Sequence, residues 1–186
     1  GVPLQQWYDK RRLVPFGEFF PVPQAVREWL RLMNLPYSDF QPGRADPAPL
    51  RAAGETFAPT VCYEDAYGSE QLGLVRQSSL LVNVTNDAWF GDSTAPHQHL
   101  DISRMRALES GRAMLRATND GVTALIGHDG ALLGTLPQFQ PGVLTGEVQP
   151  RTGLTPYVRF GNWPILAVLW LGLAVIVVSS RRSIRR

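Results

Sequence analysis

The sequence predicts a mixed α/β layered domain followed by a helix that crosses a membrane. Strand-like and helix-like segments alternate from residue 56 onward, the pattern of a sheet joined by crossover helices. Fifteen prolines and 17 glycines punctuate apolar segments throughout, which is a folded, loop-rich chain and not a disordered one. Every residue from Ile165 to Val178 is apolar or glycine.

Residues 7–23 start strand-like and pass into a loop, because Pro15, Gly17, Pro21 and Pro23 forbid a long helix. Gln24 to Asn34 reads as a helix. Val26, Trp29, Leu30 and Met33 form an apolar stripe, with Arg27, Glu28 and Arg31 on the other face. Such a stripe fits a core-facing helix, or one lying on a membrane or over an apolar cleft. Pro36 to Gly54 is a loop. Strands at Thr56–Cys62 and Leu80–Asn86 flank a helix at Ser69–Gln77, a β-α-β unit. Asn86 to Asp92 leaves the second strand as a loop. His97 to Thr118 reads as one long helix on the recurrence of Ile102, Met105, Leu108 and Leu115. A strand at Gly121–Gly127, an Asp129-Gly130 turn and a partner at Leu132–Leu136 make a hairpin. Val143–Val148 closes the body.

The C-terminal run, extended by Trp163, Pro164, Ser179 and Ser180, has about the minimum spanning length. Pro164 suits a first helical turn, and Tyr157 and Trp163 stand where interfacial aromatics belong. A buried core helix would carry a polar stripe, and this run is apolar all round. Arg181, Arg182, Arg185 and Arg186 crowd its far end, which puts the C-terminus in the cytoplasm and the body on the opposite face. The expected organisation is a body over 1–155, a juxtamembrane linker over 156–162, a span over 163–180 and a basic tail over 181–186. Much of the formal charge of +2 comes from that tail. The remaining arginines are dispersed, and no basic–aromatic stripe points to nucleic acid. The start, Gly1-Val2-Pro3-Leu4, resembles neither an initiator region nor a signal peptide, and reads as cut from something longer.

Cys62 is the sole cysteine, so neither an internal disulfide nor a zinc site follows from it. Its place at a strand end, just before a helix, favours the nucleophilic thiolate. The plain alternative is a buried small hydrophobe or an incidental thiol. Lys10 is the sole lysine among 18 basic residues. Its compact ammonium suits an oxyanion better than guanidinium does; otherwise it is a solvated surface charge. Glu18 stands among Phe16, Phe19 and Phe20, and needs a partner, for which Lys10 is the nearest candidate. Glu64 is either a solvated loop acid or a group that orients the site. His97 and His99 at i, i+2 share no helix face, so no metal site is expected; His128 falls in a turn.

Several segments carry a family resemblance. They are Tyr8-Asp9-Lys10-Arg11-Arg12-Leu13-Val14-Pro15-Phe16-Gly17-Glu18, Val61-Cys62-Tyr63-Glu64 and Asn83-Val84-Thr85-Asn86-Asp87-Ala88-Trp89-Phe90-Gly91. Arg106 to Arg112, Arg116 to Asn119 and Thr155 to Pro164 add to them. Together they resemble the C-terminal part of the bacterial apolipoprotein N-acyltransferases, a membrane-anchored branch of the nitrilase superfamily. The resemblance implies a nitrilase-like α-β-β-α sandwich, present in part, followed by one transmembrane helix. It implies a Glu-Lys-Cys triad, with Lys10 and Cys62 as two members and the glutamate upstream of Gly1. Glu18 matches an auxiliary glutamate; Tyr63 and Glu64 match functional neighbours of the cysteine. The implied reaction moves an acyl chain from a phospholipid, through a thioester on Cys62, to the lipid-modified N-terminal cysteine of an apolipoprotein. No cofactor and no metal are implied. The implied location is the inner membrane, with the catalytic body on the periplasmic face. Phe16, Phe19, Phe20, Trp89 and Phe90 are the candidate walls of an acyl cleft. This chain alone is expected to be inactive. The competing readings are a membrane-tethered nitrilase-like amidase and a non-catalytic anchored binding domain.

Overall fold

The computed structural model describes residues 6–32 and 40–184. Six strands form one sheet in sequence order: β1 (Leu50–Ala52), β2 (Glu55–Val61), β3 (Leu80–Asn86), β4 (Met114–Asn119), β5 (Ala124–Ile126) and β6 (Leu132–Thr135). β2, β3 and β4 are parallel; β1 at one edge and β5–β6 at the other are antiparallel. Three helices, α2 (Gly68–Val75), α3 (Ala95–Ser110) and α4 (Pro156–Phe160), cover one face.

Side-chain alternation sets that face. Along β3, Leu81, Asn83 and Thr85 are buried, whereas Val84 and Asn86 are exposed. Ala58, Leu81, Met114 and Ile126 pair in register across four strands, and Leu74, Val75, Leu100, Ala107 and Val158 join them in the core. One step toward the strands' C-terminal ends, the same face becomes polar: Thr60, Asn83 and Arg116 are paired neighbours. The dry core thus gives way to hydrogen-bonding groups at the end of a parallel sheet where ligand sites form. The described residues make one helical layer and one sheet. The second sheet and helical layer implied by the resemblance are not formed by them.

The largest departure from the sequence reading is at 97–118. The helix stops at Ser110, because Gly111 adopts φ 64 and Arg112 N–H bonds back to Ala107 O. That left-handed cap is easy for glycine, and the chain then turns into β4. Leu115, assigned to the helix stripe, lies in the strand. β2 and α2 each begin one residue before the expected start and end ahead of the expected end, and β3 matches. β1 falls in the expected loop, turned into β2 through Ala53 and Gly54, both at positive φ. Residues 6–20 form no named strand; side chains and isolated backbone hydrogen bonds hold them. Val143–Val148 is likewise irregular.

Gly68 leaves room for the Arg106 guanidinium, which a Cβ there would meet. α1 is described over Gln24–Leu32; Met33 and Asn34, which close the expected helix, lie outside the described residues. Of its expected apolar stripe, Val26 is 40% and Trp29 55% exposed, so these two do not face the core. Within the expected linker, α4 is capped by Thr155, whose Oγ1 accepts from Val158 N–H, and fully buries Val158. α5 (Trp163–Ile184) follows, exposed from Trp163 to Val177. Among the described residues, no helix is long and apolar enough to cross a membrane. The membrane crossing expected over 163–180 is therefore not shown, although the helix itself is present. The side chains of Val178 and of 181–184, and residues 185–186 entirely, lie outside the described set, so the basic tail does too.

Arg112 ties this architecture together. It is buried and donates to Ser78 O, Ser110 O and Gly153 O at 2.6, 2.8 and 2.9 Å. Arg112→Met keeps much of the volume but leaves three carbonyls without a donor. It should destabilise the fold by about 3 kcal/mol, read as a lower urea midpoint at unchanged slope.

Candidate active site

β2 ends at Val61, and Cys62 opens a single 3₁₀ turn, Cys62–Ala66, with φ 55. This turn stands between Cys62 and α2, which begins at Gly68, one residue before the expected start. A left-handed conformation at a residue with a Cβ costs about 1–2 kcal/mol, so the surroundings must enforce it. The thiol is partly exposed and unbridged. The Cys62 carbonyl accepts from Asn83 Nδ2 at 3.1 Å.

Two residues on, Glu64 is fully buried and serves as a strut, not as a solvated acid. Its Oε2 accepts from Val61 N–H at 2.8 Å and from Tyr8 OH at 3.0 Å. Its Oε1 accepts from the N–H groups of Arg11 and Arg12 at 2.6 and 3.1 Å. One carboxylate therefore binds the residue before Cys62 and the residue after Lys10. Burial pushes the Tyr8 hydroxyl up to about 12, with the Glu64 charge adding and Arg11 opposing. Tyr8 thus stays a neutral donor to Glu64. Arg11 also donates to Gln71 Oε1 at 2.7 Å, and Arg12 pairs with Glu70.

The sequence pairing of Lys10 with Glu18 is present. Lys10 Nζ donates to both Glu18 oxygens at 2.6 and 2.7 Å, and its side chain is only 11% exposed. Glu18 Oε2 also accepts from Val14 N–H at 2.7 Å, and Gly43 N–H donates to Lys10 O at 2.8 Å. Lysine and glutamate are thereby locked into the segment that Glu64 ties to the cysteine turn. Tyr63 is exposed and packs edge-on against Tyr67, with centroids 5.4 Å apart. Among the candidate cleft residues, Phe16 and Phe20 meet edge-to-face at 5.9 Å, Phe19 is half-buried, and Trp89 and Phe90 are exposed. A cavity of about 30 Å³ lies beside Asp65, Gly68, Arg106 and Tyr157. An open cleft of about 330 Å³ lies between residues 6–9 and 44–50. Neither is lined by Cys62, Lys10 or the five cleft candidates.

Beneath the turn lies a cluster that the sequence reading missed. His99, to which the sequence analysis gives no role, is buried with Nδ1 2.9 Å from Asp87 Oδ1 and Nε2 3.1 Å from Asp65 Oδ1. Both ring nitrogens face acceptor-only carboxylates, so both carry protons and the ring is an imidazolium. Arg116 donates to Asp87 Oδ2 at 2.9 Å, Asn83 Oδ1 at 2.7 Å and Ser103 Oγ at 2.8 Å. Ser103 donates to Asp65 Oδ2 at 2.5 Å. Two carboxylates and two cations leave the cluster neutral, which is how buried charges are tolerated. Burial alone would push His99 down, but hydrogen bonds to Asp65 and Asp87 outweigh it and raise it to about 9. Burial likewise opposes ionisation of Asp87, yet the His99 bond and the charges of His99 and Arg116 hold it below its usual range. Burial pulls Arg116 down, countered by the two aspartates. Among the described residues, no His, Cys, Asp and Glu group is arranged to hold a metal ion. These partners are far apart in sequence, 34 residues for His99 and Asp65, and no local motif announces them.

The sign of the pH dependence follows. A histidine raised from 6.5 to about 9 stabilises the fold fully below 6.5, and that contribution fades as pH rises through 9. The unfolding free energy read from urea titrations should therefore fall between pH 6.5 and 9 by an amount on the order of 3 kcal/mol. His99→Gln should be less stable at pH 6 and lose most of this slope.

The carbon-nitrogen hydrolase family matches residues 3–157. The apolipoprotein N-acyltransferase of Azotobacter vinelandii is 51% identical over 178 residues, covering 95% of this chain and 34% of that protein. That of Ralstonia nicotianae is 48% identical over 180 residues, covering 95% and 34%. A solved amidase from Nesterenkonia sp. aligns with 26% identity and a TM-score of 0.47, covering 56% of this chain and 42% of that one. The chain spans about a third of the length of the curated relatives it matches. A match of that extent, with the Lys10 segment and the Cys62 turn bound to one carboxylate, shows that the chain belongs to the carbon-nitrogen hydrolase family.

Proposed function

We propose that this chain is part of an apolipoprotein N-acyltransferase that forms a thioester on Cys62. The observation that carries the reading is the Glu64 strut, which joins the Lys10–Glu18 pair to the cysteine turn. The names of relatives about half identical to it support the substrate class. The Cys62 thiolate attacks a phospholipid ester carbonyl, and a lyso-phospholipid leaves. The α-amine of an apolipoprotein's lipid-modified N-terminal cysteine then attacks the thioester, giving an amide and freeing the thiol. Two easier steps replace one hard one. Lys10 and the Tyr63 N–H stabilise the oxyanions, and Glu18 holds Lys10 in place. The general-base glutamate implied by the resemblance has no match in this chain. Phe16, Phe19, Phe20, Trp89 and Phe90 wall the acyl chain and keep water from the thioester.

We also assign α5 to the bacterial inner membrane. An exposed helix that is apolar all round is stable only in an apolar solvent, and Trp163 to Val177 fits that description. The arginines beyond it support a cytoplasmic end and a periplasmic catalytic body by the positive-inside rule.

Expressed from its complete gene and given phospholipid without acceptor, the protein should accumulate a hydroxylamine-labile acyl mass on Cys62. Cys62→Ala should abolish capture and transfer, and Lys10→Ala should slow acylation by about 10²–10³. Turnover with no such adduct would point to direct transfer. Hydrolysis of small soluble amides without lipid would favour an amidase instead.

Topology is tested separately. A cysteine introduced by Ser183→Cys in the Cys62→Ala background should resist a membrane-impermeant thiol reagent in intact cells. Ready labelling would invert the assignment.

A further inference from the structure

The cysteine turn leaves one matter of direction unsettled by its sequence: where the N–H after Cys62 points. A trans peptide is planar, with its C=O and N–H pointing opposite ways. Whatever holds the Cys62 carbonyl therefore also aims the Tyr63 N–H. That carbonyl accepts from Asn83 Nδ2 at 3.1 Å. An asparagine amide can sit either way round, but here its orientation is fixed by chemistry. Arg116 Nη1 donates to Asn83 Oδ1 at 2.7 Å, and guanidinium has donors only, so the oxygen must face it. The amide nitrogen is then left to face the Cys62 carbonyl and Thr60 Oγ1, 3.0 Å away. Arg116 is itself held by Asp87 at 2.9 Å and Ser103 at 2.8 Å. Asp65, three residues after Cys62, closes the ring through His99 and Ser103.

We propose that Asn83 is a positioning residue that aims the Tyr63 N–H into the oxyanion site, with Arg116 fixing which way its amide faces. The inference rests on the thioester reading above. Asn83 pulls the carbonyl toward the sheet's buried polar row, which directs the opposite N–H away from it. The φ of 55 at Cys62 is the conformation this pull sustains. The pairing is set by the fold: Asn83 lies opposite Arg116 on β4 and opposite Thr60 on β2, on the helix-covered face. The buried charge cluster thus reaches the reaction through one amide, without any of its members touching the substrate.

Two reactions of Cys62 separate this role from a merely structural one. Acylation by a p-nitrophenyl acyl ester passes through a tetrahedral oxyanion and releases nitrophenolate. Alkylation by iodoacetamide displaces iodide at carbon and forms no oxyanion. Both rates are measured on the protein expressed from its complete gene. Asn83→Leu should slow acylation by about 10–100-fold, as expected when one oxyanion donor is misaimed, with alkylation within about twofold of wild type. If that variant does not fold, Asn83→Asp is isosteric and still offers Arg116 an oxygen, while it turns an acceptor toward the carbonyl; it carries the same expectation. Equal loss of both rates would overturn the inference, because Asn83 would then act on the thiol or the fold. No loss of either would overturn it alone. A wild-type Cys62 that is alkylated but never acylated would overturn the thioester reading and the inference together.

Discussion

The structure depends first on where a single carboxylate sits. Residues 6–20 have no ladder of backbone hydrogen bonds, so nothing in regular secondary structure holds Lys10. Glu64 replaces that ladder with four donors from two distant stretches of chain. A buried anion is costly unless its lone pairs are filled, and here they are. Because the donors include Val61 and Arg11, the distance between the cysteine turn and the lysine segment becomes a property of one side chain. A shorter acid at that position could not reach both.

A second constraint lies under the turn. The helix-covered face of the sheet changes from hydrocarbon to charge within one pair of residues, from Ala58, Leu81 and Met114 to Thr60, Asn83 and Arg116. Charge can occupy that place only because it cancels, Asp65 and Asp87 against His99 and Arg116. Removing any one member would leave a buried ion without a counter-charge, typically a loss of 3–5 kcal/mol. The close approach of Gly121 to Asp87, where a Cβ would come within 2.3 Å of Oδ2, shows how tightly the cluster is walled.

Local chemistry was legible in the sequence, and long-range chemistry was not. β3 was readable because Leu80–Asn86 is apolar, β-prone and bounded by a loop. The Lys10–Glu18 pair was readable because an isolated acid among aromatics needs a cation nearby. The end of α3 was not: Leu115 continues the helical period of Ile102, Met105 and Leu108, and only Gly111 marks the stop. α4 was hidden because five residues carry too little periodicity to register. Glu64 offered two readings until its donors, about 50 residues away, were in place. The role of His99 has no local signal, because its partners come from a turn and a strand end that only tertiary folding brings to it.

The sole lysine has a consequence for any reaction that ends on an amine. A thioester is promiscuous toward uncharged amines, and an enzyme that makes one risks acylating itself. Every other basic side chain outside the histidines is an arginine, whose guanidinium is a poor nucleophile. Lys10 is clasped by both oxygens of Glu18. Its Nζ is engaged by a carboxylate and not free to attack. In the proposed reaction the chain would therefore present no free side-chain amine to compete with the acceptor, and the group proposed to steady the oxyanion would be kept from becoming its victim.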